Sequence, residues 1–139
     1  MLAACEEVFP AADAAILAAA VADYRPAAAA EHKIKREGVD EMSLVLVKNP
    51  DIAATLGAKK DGRTLIGFAL ETNDEFQNAA GKLKRKNFDW IVVNSLRDPE
   101  AGFMKDTNKI SMLSAEGERL DFPAKSKTEV ARDIISAVF

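Results

Sequence analysis

The chain has 139 residues, 48% of them hydrophobic and 29% charged, with a formal net charge of -3. This suffices for one domain with a substantial apolar core but not for a second complete one, so residues 1–139 are read as one region. The charge balance argues against a surface built to neutralise a nucleic-acid backbone, and the single cysteine and single histidine exclude an internal disulfide and any His/Cys metal set.

A lone Cys5 fits a reducing, cytoplasmic setting. The apolar run at residues 14–22 is about half of the roughly 20 residues a membrane span needs, and Asp13 and Asp23 bound it. Residues 1–10 carry Glu6 and Glu7 in place of a basic region, so they do not read as a signal peptide. A soluble cytoplasmic protein, with neither membrane nor nucleic acid as partner, is the expectation.

Residues 2–8 read as a short helix that Pro10 ends, and the run at 14–20 reads as a buried strand, although its alanines also favour helix. Residues 23–36 show neither period and read as a long functional excursion from the fold. A strand is expected at 43–47. Asn49, Pro50 and Asp51 then supply an N-cap, a first-turn proline and a first-turn acid for a helix. A second apolar strand at 64–70 precedes a capping box of Thr72 and Glu75, and Phe76, Ala79, Ala80 and Leu83 mark one face of the helix that follows. Residues 90–93 give a short apolar strand ending at Asn94. Residues 109–113 pair with 118–120 across a Glu-Gly turn, and Ser126 with Glu129 caps a last helix whose Val130, Ile134 and Val138 share a face.

Strands that alternate with helices and are apolar on both faces predict an α/β, Rossmann-like, three-layer arrangement around a mostly parallel sheet, with a C-terminal β-hairpin and helix. Ligands of such sheets bind outside the carboxyl ends of the strands, which directs attention to the segments after Ala20, Val47, Leu70 and Val93. The Gly-rich dinucleotide fingerprint and the Walker phosphate loop are both absent from the sequence.

A polyphosphate needs positive charge and N–H donors where its negative charge is concentrated, and three groups of residues meet that need. Lys33, Lys35 and Arg36 lie on the excursion; the expected helix start at Pro50 exposes the N–H groups of Asp51, Ile52 and Ala53; and Lys82 and Lys86 are spaced to share a helical face. Each also has an ordinary structural reading, as a solvated loop, a plain helix start and favourable charges near a helix C-terminus. Phe68 is more often a core residue than a platform for a base, and His32 reads as solvated. Composition and spacing lead to nucleotide binding and no further.

Five ordered strings carry more: Ala19-Ala20-Val21-Ala22-Asp23-Tyr24-Arg25-Pro26, Lys33-Ile34-Lys35-Arg36, Lys48-Asn49-Pro50-Asp51-Ile52, Gly67-Phe68-Ala69-Leu70-Glu71-Thr72-Asn73, and Gly102-Phe103 with Asp106-Thr107-Asn108. Together they closely resemble the bacterial phosphopantothenoylcysteine synthetases, the phosphopantothenate–cysteine ligases that commonly form the second half of a bifunctional decarboxylase/synthetase. The resemblance implies a ligase of coenzyme A biosynthesis. CTP, with magnesium or manganese, converts 4'-phosphopantothenate into an acyl-cytidylate and pyrophosphate, and cysteine then displaces CMP. FMN belongs to the decarboxylase half, outside these residues. Carried over by position, Ala19, Asp23, Lys33, Pro50, Asp51, Ile52, Ala53, Phe68, Lys82 and Lys86 contact CTP, and Lys33 also serves the chemical step.

Lys33 opens the family's Lys-x-Lys-Lys motif; Lys35 supports it, and Arg36 replaces the last lysine with a forked guanidinium. The resemblance names no metal ligand. It implies a homodimer in which the excursion crosses a two-fold interface. Family members also have an earlier strand, loop and helix carrying an asparagine that processes the acyl-cytidylate, so these residues are read as a partial domain with Met1 as an internal start. Two other readings remain, a nucleotide-binding module without turnover and a Rossmann-type oxidoreductase.

Overall fold

Apolar residues that recur on both faces of a strand require cover on both faces. A computed structural model, which describes residues 1–35, 41–71, 73–95 and 106–139, supplies that cover with helices. The elements run α1 (Leu2–Val8), a single 3-10 turn (Phe9–Ala11), β1 (Ala14–Leu17), β2 (Tyr24–Pro26), β3 (Leu46–Lys48), α2 (Ile52–Ala58), β4 (Thr64–Glu71), α3 (Glu75–Arg85), β5 (Trp90–Ser95), β6 (Thr107–Asn108), β7 (Ile110–Ser114), β8 (Arg119–Asp121), β9 (Lys125–Ser126) and α4 (Lys127–Val138). They form two compact units, Met1–Ala18 with Ile52–Phe139, and Ala19–Asp51.

The larger unit is built on a five-stranded sheet of order β1-β4-β5-β7-β8. β1, β4 and β5 are parallel, with Ala14 opposite Thr64 and Ile66 opposite Trp90. The expected hairpin extends the edge, β7 antiparallel to β5 and β8 antiparallel to β7. Alternation then sorts the side chains. Leu65, Ala69, Ile91 and Val93 pack with Phe9, Leu56, Ala79, Leu83 and Phe88 beneath the first three helices. Ile66, Val92, Ile110 and Met112 pack with Val130 and Ile134 of α4 on the other face. Each fully buried Leu, Ile or Val contributes about 1.5–3 kcal/mol relative to exposure, so the paired β4 and β5 anchor the unit.

Helix ends follow their capping chemistry where the sequence provides it. At α4 the Glu129 amide donates to Ser126 Oγ while the Ser126 amide donates to Glu129 Oε2, a complete capping box. The Ser126 hydroxyl, followed by its amide, holds the Glu129 carboxyl below its usual 4.5.

At α3 the sequence pattern pairs Thr72 with Glu75 in a capping box. Glu75 is the first helical residue, and Asp74, left-handed at φ 46, stands at the N-cap without a side-chain bond. Thr72 itself lies outside the described residues. An Asp tolerates that conformation and turns the chain abruptly, so the helix starts later than the pattern suggests.

Three further expectations shift. β1 ends at Leu17, because the three alanines that follow bring little strand preference and remain exposed. The strand expected at 43–47 is β3, Leu46–Lys48, and it joins no parallel sheet; it pairs antiparallel with β2, Tyr24 opposite Lys48, in a two-stranded sheet of the smaller unit. α2 begins at Ile52, two residues beyond Pro50, because the Asn49 side chain is engaged elsewhere.

One position in β4 has no room for a side chain. A Cβ at Gly67 would overlap the Phe88 ring, which closes over the strand from the loop between α3 and β5. Gly67→Ala is therefore expected to lower the free energy of unfolding by about 1–3 kcal/mol, the cost of overpacking a dense core. Chemical denaturation measures it, and an unchanged midpoint would mean that the ring yields freely.

Candidate nucleotide site

In parallel sheets the loops at the carboxyl ends of the strands are free to carry chemistry while the faces stay buried. In the larger unit β4 and β5 finish together, Glu71 opposite Ser95. Phe68, three residues before the end of β4, is half-buried and packs against the cluster under α4, so its ring is part of the core on that side.

Across from the end of β4, α3 presents Asn78 and Lys82, whose four-residue step puts them on one helical face, and Lys86 follows at the C-cap of the helix. Lys82 Nζ donates to Glu71 Oε1 at 2.6 Å, and Asn78 Nδ2 donates to Glu71 Oε2 at 3.3 Å and to the Asn73 carbonyl at 2.9 Å. The Glu71 side chain is 13% exposed and that of Lys82 35%. A carboxylate this sheltered needs such partners, because unpaired it would cost several kcal/mol of lost hydration.

Lys86 stands where α3 ends, its amide bonded to the Lys82 carbonyl. Its own carbonyl sits against α2 so closely that a Cβ at Gly57 would overlap it, and Asn87 Nδ2 donates to the Gly57 carbonyl at 2.8 Å. Ile52 and Ala53 open α2 and turn their side chains into the first cluster. Lys82, Lys86, Phe68, Ile52 and Ala53 thus belong to one unit.

Ala19, Asp23, Lys33, Lys35, Pro50 and Asp51 belong to the smaller unit, and all six are exposed. Asn49 organises part of it. Its amide N–H donates to the Asp23 carbonyl at 2.7 Å and its side-chain Nδ2 to the Ala22 carbonyl at 2.7 Å, while its Oδ1 accepts from Arg25 Nη1 at 2.9 Å. The chain around Asp23 is thereby fixed beside the approach to Pro50. Lys33 and Lys35 lie on backbone without regular structure, and Arg36 lies outside the described residues. Among the described residues no group of three or more His, Cys, Asp or Glu is arranged to hold a metal ion.

Sequence reasoning passed over Glu71, Asn78, Arg25 and Asn49 as supports. Glu71 had a visible signal, since it is the first charge after an unbroken apolar strand. Arg25 and Asn49 had none, because their pairing spans residues far apart in the chain.

A family model described as the DNA/pantothenate metabolism flavoprotein C-terminal domain matches residues 1–139. The chain belongs to this family. Among relatives of this flavoprotein C-terminal domain, a prokaryotic protein named cysteine/cysteine sulfinic acid decarboxylase is 52% identical over 133 residues, covering 95% of this chain and 37% of that protein. The coenzyme A biosynthesis bifunctional protein CoaBC of Bacillus subtilis is 38% identical over 131 residues, covering 94% of this chain and 32% of that one. The crystal structure of the C-terminal domain of a CoaBC protein superposes with a TM-score of 0.78 at 34% identity, over 99% of this chain and 58% of that chain. The chain thus spans about a third of the length of these two curated relatives.

Asn49→Ala removes the two side-chain bonds that join Ala22 and Arg25 to the end of β3 and leaves the backbone bond to Asp23 in place. Amide exchange at Arg25 and Val47 is expected to rise about tenfold, roughly one lost hydrogen bond of local protection, with β4 and β5 unaffected. Unchanged exchange at both would remove Asn49 as the organiser.

Proposed function

We propose that this chain is the ligase part of a coenzyme A biosynthesis protein, joining cysteine to 4'-phosphopantothenate at the expense of CTP. The match of all 139 residues to the C-terminal domain of pantothenate-metabolism flavoproteins carries the reading. The cationic strings that resemble the synthetases support its nucleotide chemistry.

Carboxylate oxygen is a poor leaving group. The reaction therefore begins with attack of the phosphopantothenate carboxylate on the α-phosphorus of magnesium-bound CTP, forming an acyl-cytidylate and expelling pyrophosphate. The cysteine amine then attacks the acyl carbon, loses a proton, and CMP departs with its charge on phosphate. Neither step demands a strong base; the protein has to orient reactants and stabilise transient negative charge. Lys82 and Lys86 are assigned to the phosphates and Phe68 to the nucleoside. Ala19, Asp23 and the stretch from Pro50 to Ala53 are assigned to CTP by the resemblance of their strings to the synthetases, with backbone N–H groups as donors. Lys33 is assigned to the acyl-cytidylate, with Lys35 and Arg36 beside it in sequence.

A homodimer accompanies this reading. Tyr24, Ile34, Met42, Leu44, Val45 and Leu46, all in the smaller unit, are large apolar residues left exposed. A second copy of the same unit, brought up by a two-fold axis, is the occupant that such a surface favours. No helix among the described residues is long and apolar enough to cross a membrane, and a cytoplasmic location fits the pathway.

The 52% relative motivates a second reading, a nucleotide-binding partner of a decarboxylating region. That protein's name covers a chain of which these residues span 37%, so the decarboxylation is assigned to the remainder. In that reading CTP binds without turnover.

Pyrophosphate release separates the two. In the full-length protein, release from CTP should require phosphopantothenate, and Lys33→Ala should slow it at least about a hundredfold while weakening CTP binding less than about tenfold. That split marks a contact strongest in the transition state. CTP binding with no phosphopantothenate-dependent release would favour the second reading, and equal losses of binding and rate would remove Lys33 from the chemical step.

A further inference from the structure

A lysine that is to bind phosphate gains from being held in place beforehand, because its four-carbon stem otherwise loses its rotamer freedom on binding. Lys82 is held. We propose that Glu71 is the positioning residue of the nucleotide site, fixing the Lys82 ammonium at the carboxyl end of β4 for the phosphates; this rests on the nucleotide reading of Lys82 given above.

The geometry separates this pair from an ordinary surface ion pair. Glu71 is the last residue of β4, so its backbone is fixed by pairing with β5, and its side chain is 13% exposed. Both of its oxygens are engaged, Oε1 by Lys82 and Oε2 by Asn78. Asn78 is in turn tied to the Asn73 carbonyl, so the carboxylate cannot swing away without breaking a connected set of bonds. Lys82 differs, because an ammonium carries three N–H donors and Glu71 takes one. With 35% of the side chain exposed, the other donors are available to an incoming phosphate. Because its oxygens already hold donors, Glu71 meets the phosphate as half of a neutral pair, which limits the repulsion a bare carboxylate would exert.

The test is a double-mutant cycle in the full-length protein, with binding of CTP–magnesium and of CMP measured on protein shown to be folded by its thermal transition. Lys82→Ala is expected to weaken CTP about tenfold, the scale of one charge-assisted hydrogen bond. Glu71→Ala should approach that loss. Glu71→Gln should lose less, because the amide oxygen still accepts from Lys82, and its unchanged volume provides a folded variant if alanine is not tolerated. CMP binding should change less than about twofold in each, since the ammonium serves the outer phosphates. The double variant should bind CTP no more weakly than Lys82→Ala alone, the sign of two residues acting as one.

If Lys82→Ala weakens CTP while both Glu71 variants leave it unchanged or tighten it, the positioning role is overturned and the nucleotide reading stands. Additive losses, or equal losses for CMP, overturn it as well, since Glu71 would then act apart from Lys82 or away from the outer phosphates. If Lys82→Ala leaves CTP affinity intact, the nucleotide reading of Lys82 fails, and the proposal fails with it.

Discussion

The close approach of Phe88 to the bare backbone of Gly67 sets the height of α3 over the sheet. Phe88 follows directly on the end of α3, its amide bonded to the Leu83 carbonyl, and its ring rests on β4 where any side chain would displace it. Ala79 and Leu83 complete the contact from the same helix. With that spacing fixed, the opposite edge of α3 faces the end of β4, and Lys82 meets Glu71. A second bare position, Gly57, does the same for α2 against the Lys86 carbonyl. Two glycines thus set where α3 lies, one by letting the Phe88 ring rest on β4 and the other by letting the Lys86 carbonyl approach α2.

This division of labour explains the distribution of polarity in the larger unit. β4 and β5 place apolar residues on both faces, and Glu71, Asn78 and Lys82 gather where β4 stops. The opposite end of the sheet also holds ion pairs, but these are structural: Lys60 bonds Asp89, whose other oxygen accepts from the Leu65 amide, and Arg63 bonds the carbonyls of Pro10 and Ala12. Those groups tie the starts of the strands together. At the carboxyl end Glu71, Asn78 and Lys82 leave one cation partly open, the property a phosphate ligand requires.

How much of this was legible depended on whether the signal was local. The β7–β8 hairpin and the Ser126–Glu129 cap are written in a few adjacent residues, and both stand where the sequence put them. The strand character of β4 was equally plain. The start of α2 and the place of β3 were misread for one shared reason: Asn49 looked like a cap for the helix after it, whereas its side chain reaches back 24 and 27 residues to Arg25 and Ala22. No periodicity within a short window contains that partner. α3 starts later than its pattern suggested, at Glu75, behind a left-handed Asp74. In the candidate site, charge and spacing pointed to Lys82, but the carboxylate that pairs with it, Glu71, was hidden inside a strand ending.

The central claim is that nucleotide meets this protein at the carboxyl end of β4 and along the Asn78–Lys82 face of α3. Titrating isotope-labelled full-length protein with CTP–magnesium and following backbone amide shifts tests it directly. The account predicts the largest changes in the larger unit at residues 67–71 and 78–86, with little change at Arg63 and Asp89, where the strands begin. Shifts concentrated at the strand starts or on the β7–β8 hairpin, with residues 67–71 and 78–86 silent, would contradict it.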